Sequence, residues 1–141
     1  MSLLMNYSGI GMSPRPKWRH QLMLSCLLAN TFAELQSKGL TILPESTVTE
    51  DWNDLAPDLV IFDKIHHPLV IIEIAREVQV EETMDKCEEL MTRFPKAEYF
   101  VYDYEQNIFY GFNAEDGEWI TSEEEPLCSI YLERPLMDYL L

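Results

Sequence analysis

Pro57-Asp58-Leu59-Val60-Ile61-Phe62 and, after the short turn 63–68, Leu69-Val70-Ile71-Ile72-Glu73-Ile74-Ala75 form the stretch that decides the fold. The second run is almost continuously apolar and rich in β-branched residues. It is too apolar to face water on either side, so it predicts a central strand covered on both faces. Residues 58–62 predict the strand before it. The interruption is Glu73. An isolated ionised carboxylate in an apolar interior is costly, so such a group neutralises or acquires a cation or a hydrogen-bond partner. Two carboxylates on adjacent strands of a hairpin, Asp58 and Glu73, can face each other across the ladder. Oxygen ligands of this kind suit Mg²⁺, with waters and a substrate phosphate completing the shell. The structural alternative is that Glu73 pairs with Arg76 or Lys86, or opens to water at a strand end.

Working outward, residues 17–38 place Leu24, Leu27, Leu28 and Leu35 at helical spacing, and Gly39 follows as a C′ glycine. Residues 40–48 predict a strand, with Pro44 marking an edge or a bulge, and 49–55 a loop. Val80, Met84, Cys87, Met91 and Phe94 step by four, three, four and three, the stripe of a second helix that Pro95 stops. Residues 97–103 and 108–112 predict two strands joined by a hairpin connection over 104–107. The order is α-β-β-β-α-β-β, an α/β fold with a mixed central sheet flanked by helices. Residues 1–14, punctuated by Gly9, Gly11 and Pro14, predict a flexible or loosely docked start. After Asn113 the sequence turns acidic and irregular, with Asp116-Gly117 as a turn and Glu123, Glu124 and Glu125 as solvated surface. With 141 residues, 47% of them hydrophobic, and no internal repeat or composition shift, the chain predicts one domain over residues 1–141.

Ten basic against 25 acidic side chains give a formal charge of −15, which repels phosphate backbones. Strong non-specific nucleic-acid binding is thereby disfavoured, and any contact with nucleic acid must be local or metal-assisted. The acidity is uneven: residues 73–141 carry eighteen acidic side chains against five basic ones. Cys26, Cys87 and Cys128 lie far apart and form no C-x-x-C pair, which fits a reducing, cytoplasmic setting. The apolar run 22–29 imitates a targeting signal only superficially, because helical spacing continues past it. No stretch approaches the roughly 18 consecutive apolar residues of a membrane span, so a soluble chain is expected.

The quoted stretch resembles the signature of the PD-(D/E)XK nuclease superfamily and, more narrowly, the Uma-type bacterial family of candidate restriction endonucleases. Arg19-His20 at the head of the first helix, Leu43-Pro44-Glu45, and Glu98-Tyr99-Phe100-Val101-Tyr102-Asp103 agree with that resemblance, which covers residues 15–112. It implies a restriction-endonuclease-like core, with residues 113–141 as a divergent C-terminal segment. It also implies that Asp58 and Glu73 are ligands of Mg²⁺ or Mn²⁺, and that water activated by the metal attacks a phosphodiester of DNA. Glu45 would be an accessory acid beside the same pocket. The superfamily's basic residue normally stands two positions after the Glu, because residues i and i+2 of a strand share a face. Here that position is Ala75. Some of these families supply the lysine from the following helix, where Lys86 is the candidate; it could equally be a surface lysine pairing with Glu82 or Glu89. Arg76 is the weaker substitute, since its odd offset turns it to the opposite face.

His20 lies one turn before Leu24 on the inward side, in reach of the pocket as a phosphate contact or acid-base group, or simply as a hydrogen-bonded helix-start residue. His66 and His67 sit in a turn without a second ligand at useful spacing, so zinc is unsupported. Cys26 and Cys87 read as small core residues, and Trp18, Trp52 and Trp119 as packing. Two classes of function remain. One is a metal-dependent endonuclease using Asp58, Glu73, Lys86, Glu45 and His20. The other is a catalytically inactive nuclease-fold protein serving as an interaction or assembly module, its acidic half meeting a basic partner. A homodimer is compatible with the first, since restriction-type enzymes often cut two strands with two subunits.

Overall fold

The structure, a computed structural model, describes residues 18–46, 48–49 and 56–140. The expectation for residues 1–14, the basic residues Arg15 and Lys17, Trp52 and most of the loop 49–55 lie outside the described residues. Helix α1 (Trp18–Ser37) is followed by β1 (Thr41–Pro44), β2 (Leu59–Phe62) and β3 (Pro68–Ala75). Helix α2 (Val80–Met91), entered through a single 3₁₀ turn over Glu77–Gln79, leads to β4 (Glu98–Asp103), β5 (Ile108–Asn113) and β6 (Glu118–Thr121). The predicted order is present, with one strand more than expected.

The six strands lie side by side in chain order. Every pair is antiparallel except β3 and β4, which run parallel because α2 carries the chain back between them. The period of two along each strand sorts the side chains into two layers. Leu59, Ile61, Val70, Ile72, Ile74, Phe100 and Tyr102 face α1 and meet Leu24, Leu27 and Leu35. Val60, Phe62, Ile71, Ala75, Tyr99 and Val101 face α2 and meet Val80, Cys87 and Leu90. Both faces of β3 are therefore covered, as its apolar run requires, and each fully buried Leu or Ile contributes on the order of 1.5–3 kcal/mol. Among the described residues no helix is long and apolar enough to cross a membrane.

Gly39 ends α1 as a C′ residue at φ 75°, with Leu40 N–H reaching back to the Leu35 carbonyl at 2.9 Å. Strand β1 is shorter than the predicted 40–48. Pro44 offers no N–H to extend the ladder, and Glu45 adopts φ 49°, turning the chain off the sheet.

The expectation of an irregular C-terminal stretch needs correction. Glu118–Thr121 pairs with β5 in the register Gly111↔Ile120 and Phe112↔Trp119. Beyond it, Leu127, Leu132, Leu136 and Tyr139 are buried in the α1 layer. The Tyr139 hydroxyl donates to Glu34 Oε1 at 2.6 Å, and Asn30 Nδ2 donates to the Tyr139 carbonyl at 2.8 Å. Residues 127–140 thus fasten α1 to the sheet. Glu123, Glu124 and Glu125 are exposed, as a solvated charge run should be.

Candidate functional site

The site forms where β2 begins and β3 nears its end. Leu59 pairs with Ile72, so Asp58 stands opposite Glu73, one residue beyond the end of β2. The missing rung of the ladder is made by side chains. Asp58 N–H donates to Glu73 Oε1 at 2.8 Å, and Ile74 N–H donates to Asp58 Oδ2 at 2.7 Å. Because Asp58 Oδ2 takes the place of a ladder acceptor, its carboxylate lies near the plane of the sheet, within reach of both layers. Glu73 approaches it from the α2 face, which it shares with Ile71 and Ala75.

The approach from the other layer is made by His20. One turn before Leu24 on the inner side of α1, it sets Nε2 3.4 Å from Asp58 Oδ2, with the His20 side chain 17% exposed and Asp58 20%. The hydrogen bond with Asp58 raises the imidazole pKa above 6.5 against the opposing effect of burial, and the charges of Asp58 and Glu45 add to the rise. Among the described residues, the buried His20 Nδ1 has no well-formed hydrogen bond, although the Ile74 backbone lies close enough to add to the rise of the imidazole pKa.

Glu73 is the strained member electrostatically. Burial, then the negative charge of Asp58, pushes its pKa from 4.5 to about 7, only partly opposed by the Asp58 N–H and by the distant charge of Lys86. Neither Arg76 nor Lys86 forms a salt bridge with it among the described residues. Arg76 turns away to Glu105 at 3.4 Å, and Lys86 reaches Glu82, four residues earlier on α2, at 4.0 Å. Lys86 is exposed on α2 beside the buried Cys87, whose thiol is pushed up by burial and by the charge of Glu73.

Glu45 is exposed, and its backbone N–H donates to the Asp58 carbonyl at 2.9 Å. The structure therefore brings together Asp58, Glu73 and His20, with Glu45 alongside and Lys86 at the periphery. His66 stacks on Phe62 at 3.9 Å and His67 meets Phe94 edge-on, both remote in role from the carboxylates.

One carboxylate was missed by reading the sequence. Asp103 pairs with Ala75 in the parallel register of β3 and β4, on the Glu73 face, and is 1% exposed. Its Oδ1 caps the following turn by accepting from Glu105 N–H and Gln106 N–H at 2.9 and 3.0 Å, while Oδ2 is buried without a partner among the described residues. The turn role was readable from an aspartate ahead of a hairpin connection; its proximity to Ala75 was not, because it depends on the parallel register.

Among the described residues, no group of three or more His, Cys, Asp or Glu side chains gathers as a metal cage. The pair of carboxylates by itself matches the donor chemistry of a hard, largely hydrated divalent cation, whose charge would relieve the repulsion that now raises Glu73.

No family model and no curated protein matches the chain. A solved structure does. The chain superposes with a TM-score of 0.67 on a crystal structure described as a "putative nuclease belonging to DUF820" from Anabaena variabilis ATCC 29413. The match has 15% sequence identity and covers 91% of this chain and 85% of that one. The α/β sheet with its two helices is thus a restriction-endonuclease-like fold.

Proposed function

We propose that the chain is a metal-dependent endonuclease that hydrolyses phosphodiester bonds of DNA, working at the Asp58–Glu73 pair. A protein of the same fold described as a nuclease supports the reaction class, but fold alone cannot carry a function. The observation that carries the reading is local: two carboxylates from neighbouring strands converge at a strand end, and burial together with the charge of Asp58 raises the pKa of Glu73 to about 7.

Asp58 and Glu73 would hold Mg²⁺ or Mn²⁺, which supplies Lewis-acid polarisation of the phosphate and eases deprotonation of water. The chain's own groups do the positioning. The Ile74 N–H fixes the Asp58 carboxylate in the sheet plane, and the Asp58 N–H fixes that of Glu73. His20, held by Asp58 with a raised proton affinity, is placed to contact the phosphate or to pass a proton to the leaving oxygen. Hydrolysis adds water to phosphorus and breaks the bond to one bridging oxygen. Lys86, on its long stem, can leave Glu82 for the phosphate, and Glu45 adds negative charge at the rim.

The buried Ala75 favours a second reading, an inactive nuclease-fold module, since no basic side chain occupies that position. Cleavage of single-stranded and duplex DNA in millimolar Mg²⁺ or Mn²⁺ separates the two. Activity that disappears in both Asp58→Ala and Glu73→Ala supports the nuclease. Absence of metal binding and of cleavage supports the module, and cleavage persisting in Asp58→Ala places the activity elsewhere.

A further inference from the structure

Between the first turns of α1, the end of β4 and the connection that follows it lies a cavity of about 390 Å³ that the reaction just described does not use. Its size falls within the range of small-ligand sites. Its walls include Trp18, Arg19, Tyr102, Tyr104, Glu105 and Asn107. Arg19 Nη2 donates to the Tyr104 carbonyl at 2.9 Å, and its guanidinium sits over the Tyr104 ring, 5.3 Å from the centroid. Tyr104 in turn meets the His20 ring edge-on at 6.2 Å, and His20 touches Asp58. The cavity is therefore linked to Asp58 through two side chains, Tyr104 and His20.

Three properties define its occupant. Trp18 is 73% exposed at the first turn of α1, an aromatic face left open to a planar partner. Arg19 presents a planar cation in a chain of net charge −15, a local exception that suits a phosphate-bearing ligand. The polar wall combines the Glu105 carboxylate, whose Oε1 accepts from Glu77 N–H and whose Oε2 meets Arg76 Nε, each oxygen keeping a second lone pair, with the Asn107 amide, whose oxygen accepts from the Tyr102 hydroxyl so that its NH₂ is left as a donor among the described residues. An acceptor and a donor side by side complement a base edge that carries an amino group next to a ring nitrogen.

We propose that this cavity receives one unstacked adenine or cytosine of a single-stranded nucleic-acid segment, its base against Trp18 and the Arg19–Tyr104 stack. Unstacked bases are commonly held on aromatic rings and guanidinium planes in this manner. The inference rests on the nuclease reading for the identity of its ligand, and its test is independent of cleavage. In EDTA, dAMP, dCMP, dTMP and deoxyribose 5-phosphate are titrated into the full chain by calorimetry. dAMP and dCMP bind more tightly than dTMP, and at least about tenfold more tightly than the base-free phosphate, the order expected for one base–aromatic stack.

Trp18→Ala, a change at an exposed side chain, weakens dAMP binding by a similar factor, and Arg19→Lys weakens it while retaining the charge. Asp58→Asn leaves it unchanged. Equal binding of base-bearing and base-free phosphates, or undiminished dAMP binding in Trp18→Ala, overturns the proposal. Cleavage that fails while dAMP still binds through Trp18 removes only the nuclease reading, and loss of base binding with cleavage intact removes only this one.

Discussion

Asp58 and Glu73 are joined by crossed hydrogen bonds: Glu73 Oε1 accepts the Asp58 N–H, and Asp58 Oδ2 accepts the N–H of Ile74, the residue after Glu73. The backbone of each strand thus orients the carboxylate of the other. A ladder rung has been replaced by two side chains, so the sheet itself sets the geometry of the site. Preorganisation of this kind keeps charged groups close together without the reorganisation that flexible side chains would require.

The electrostatic consequence is a stability that declines with pH. Glu73 has a folded pKa of about 7 against 4.5 for the free side chain. The native state therefore holds a proton that the unfolded chain has released, and stability is lost as pH rises from about 4.5 through 7. His20 acts in the same direction, since its folded pKa lies above 6.5 and its contribution fades as pH passes through that raised value. Glu73→Gln should be more stable than the parent at pH 8 by roughly 1–3 kcal/mol, with the gap closing below pH 5. Urea unfolding in EDTA at pH 5, 6.5 and 8 measures it, and a gap of constant size would show that Glu73 is not the titrating group.

A divalent cation should reverse that penalty. Binding requires both carboxylates ionised, so Mn²⁺ should raise the melting temperature at pH 7.5 and release about a quarter of a proton there, approaching one proton below pH 6. Its affinity should fall by up to about tenfold per pH unit below 7. Calorimetry in buffers of different ionisation enthalpy counts the proton. Asp58→Asn should abolish the thermal shift; a shift that persists in that variant would locate the cation elsewhere.

Ala75 offers a gain-of-function test. A lysine there would project on the Glu73 face beside Asp103, whose Oδ2 has no partner among the described residues. Ala75→Lys should therefore find a counter-charge and raise DNA cleavage by roughly tenfold or more, the scale of one added electrostatic contact to a transition state. If Lys86 already supplies that contact, Lys86→Ala lowers cleavage by a comparable factor and Ala75→Lys adds little. Steady-state rates on one oligonucleotide decide between the lysines.

At the opposite side of the core, Leu136 is fully buried and Tyr139 donates to Glu34 from a buried ring. Leu136→Ala should cost about 2–5 kcal/mol, and Tyr139→Phe about 1 kcal/mol through the one hydrogen bond lost at Glu34 Oε1, since Glu34 Oε2 keeps Lys38 and the Glu133 N–H. Chemical denaturation measures both. Values near zero would mean that the segment is not packed as the structure shows it.

The sequence made the core layers legible because period and chemistry agreed. The run 69–75 could be only a strand covered on both faces, and the stripe from Val80 to Phe94 fits a helix with one buried side. That Asp58 and Glu73 could face each other across a hairpin was readable too, but their register was not, since it shifts by one residue between Ile61 and Phe62 and the turn alone would set Asp58 opposite Ile72. Strand β6 was not readable: four residues, Glu118 to Thr121, alternate weakly beside a run of glutamates, and their strand character comes from the β5 edge they cover. The crossed hydrogen bonds were also hidden, because they depend on β2 beginning one residue after Asp58. The cavity at Trp18 joins the start of α1, the end of β4 and the residues Met137 and Leu140, a meeting that only the tertiary structure creates.

The anchorage of α1 by Asn30 and Glu34 to Tyr139 spans more than a hundred positions of chain. The helix that delivers His20 is thereby clasped by the turn at 136–140. During synthesis the paired acids on β2 and β3 emerge well before Tyr139, so this clasp can close only on a carboxylate pair already made.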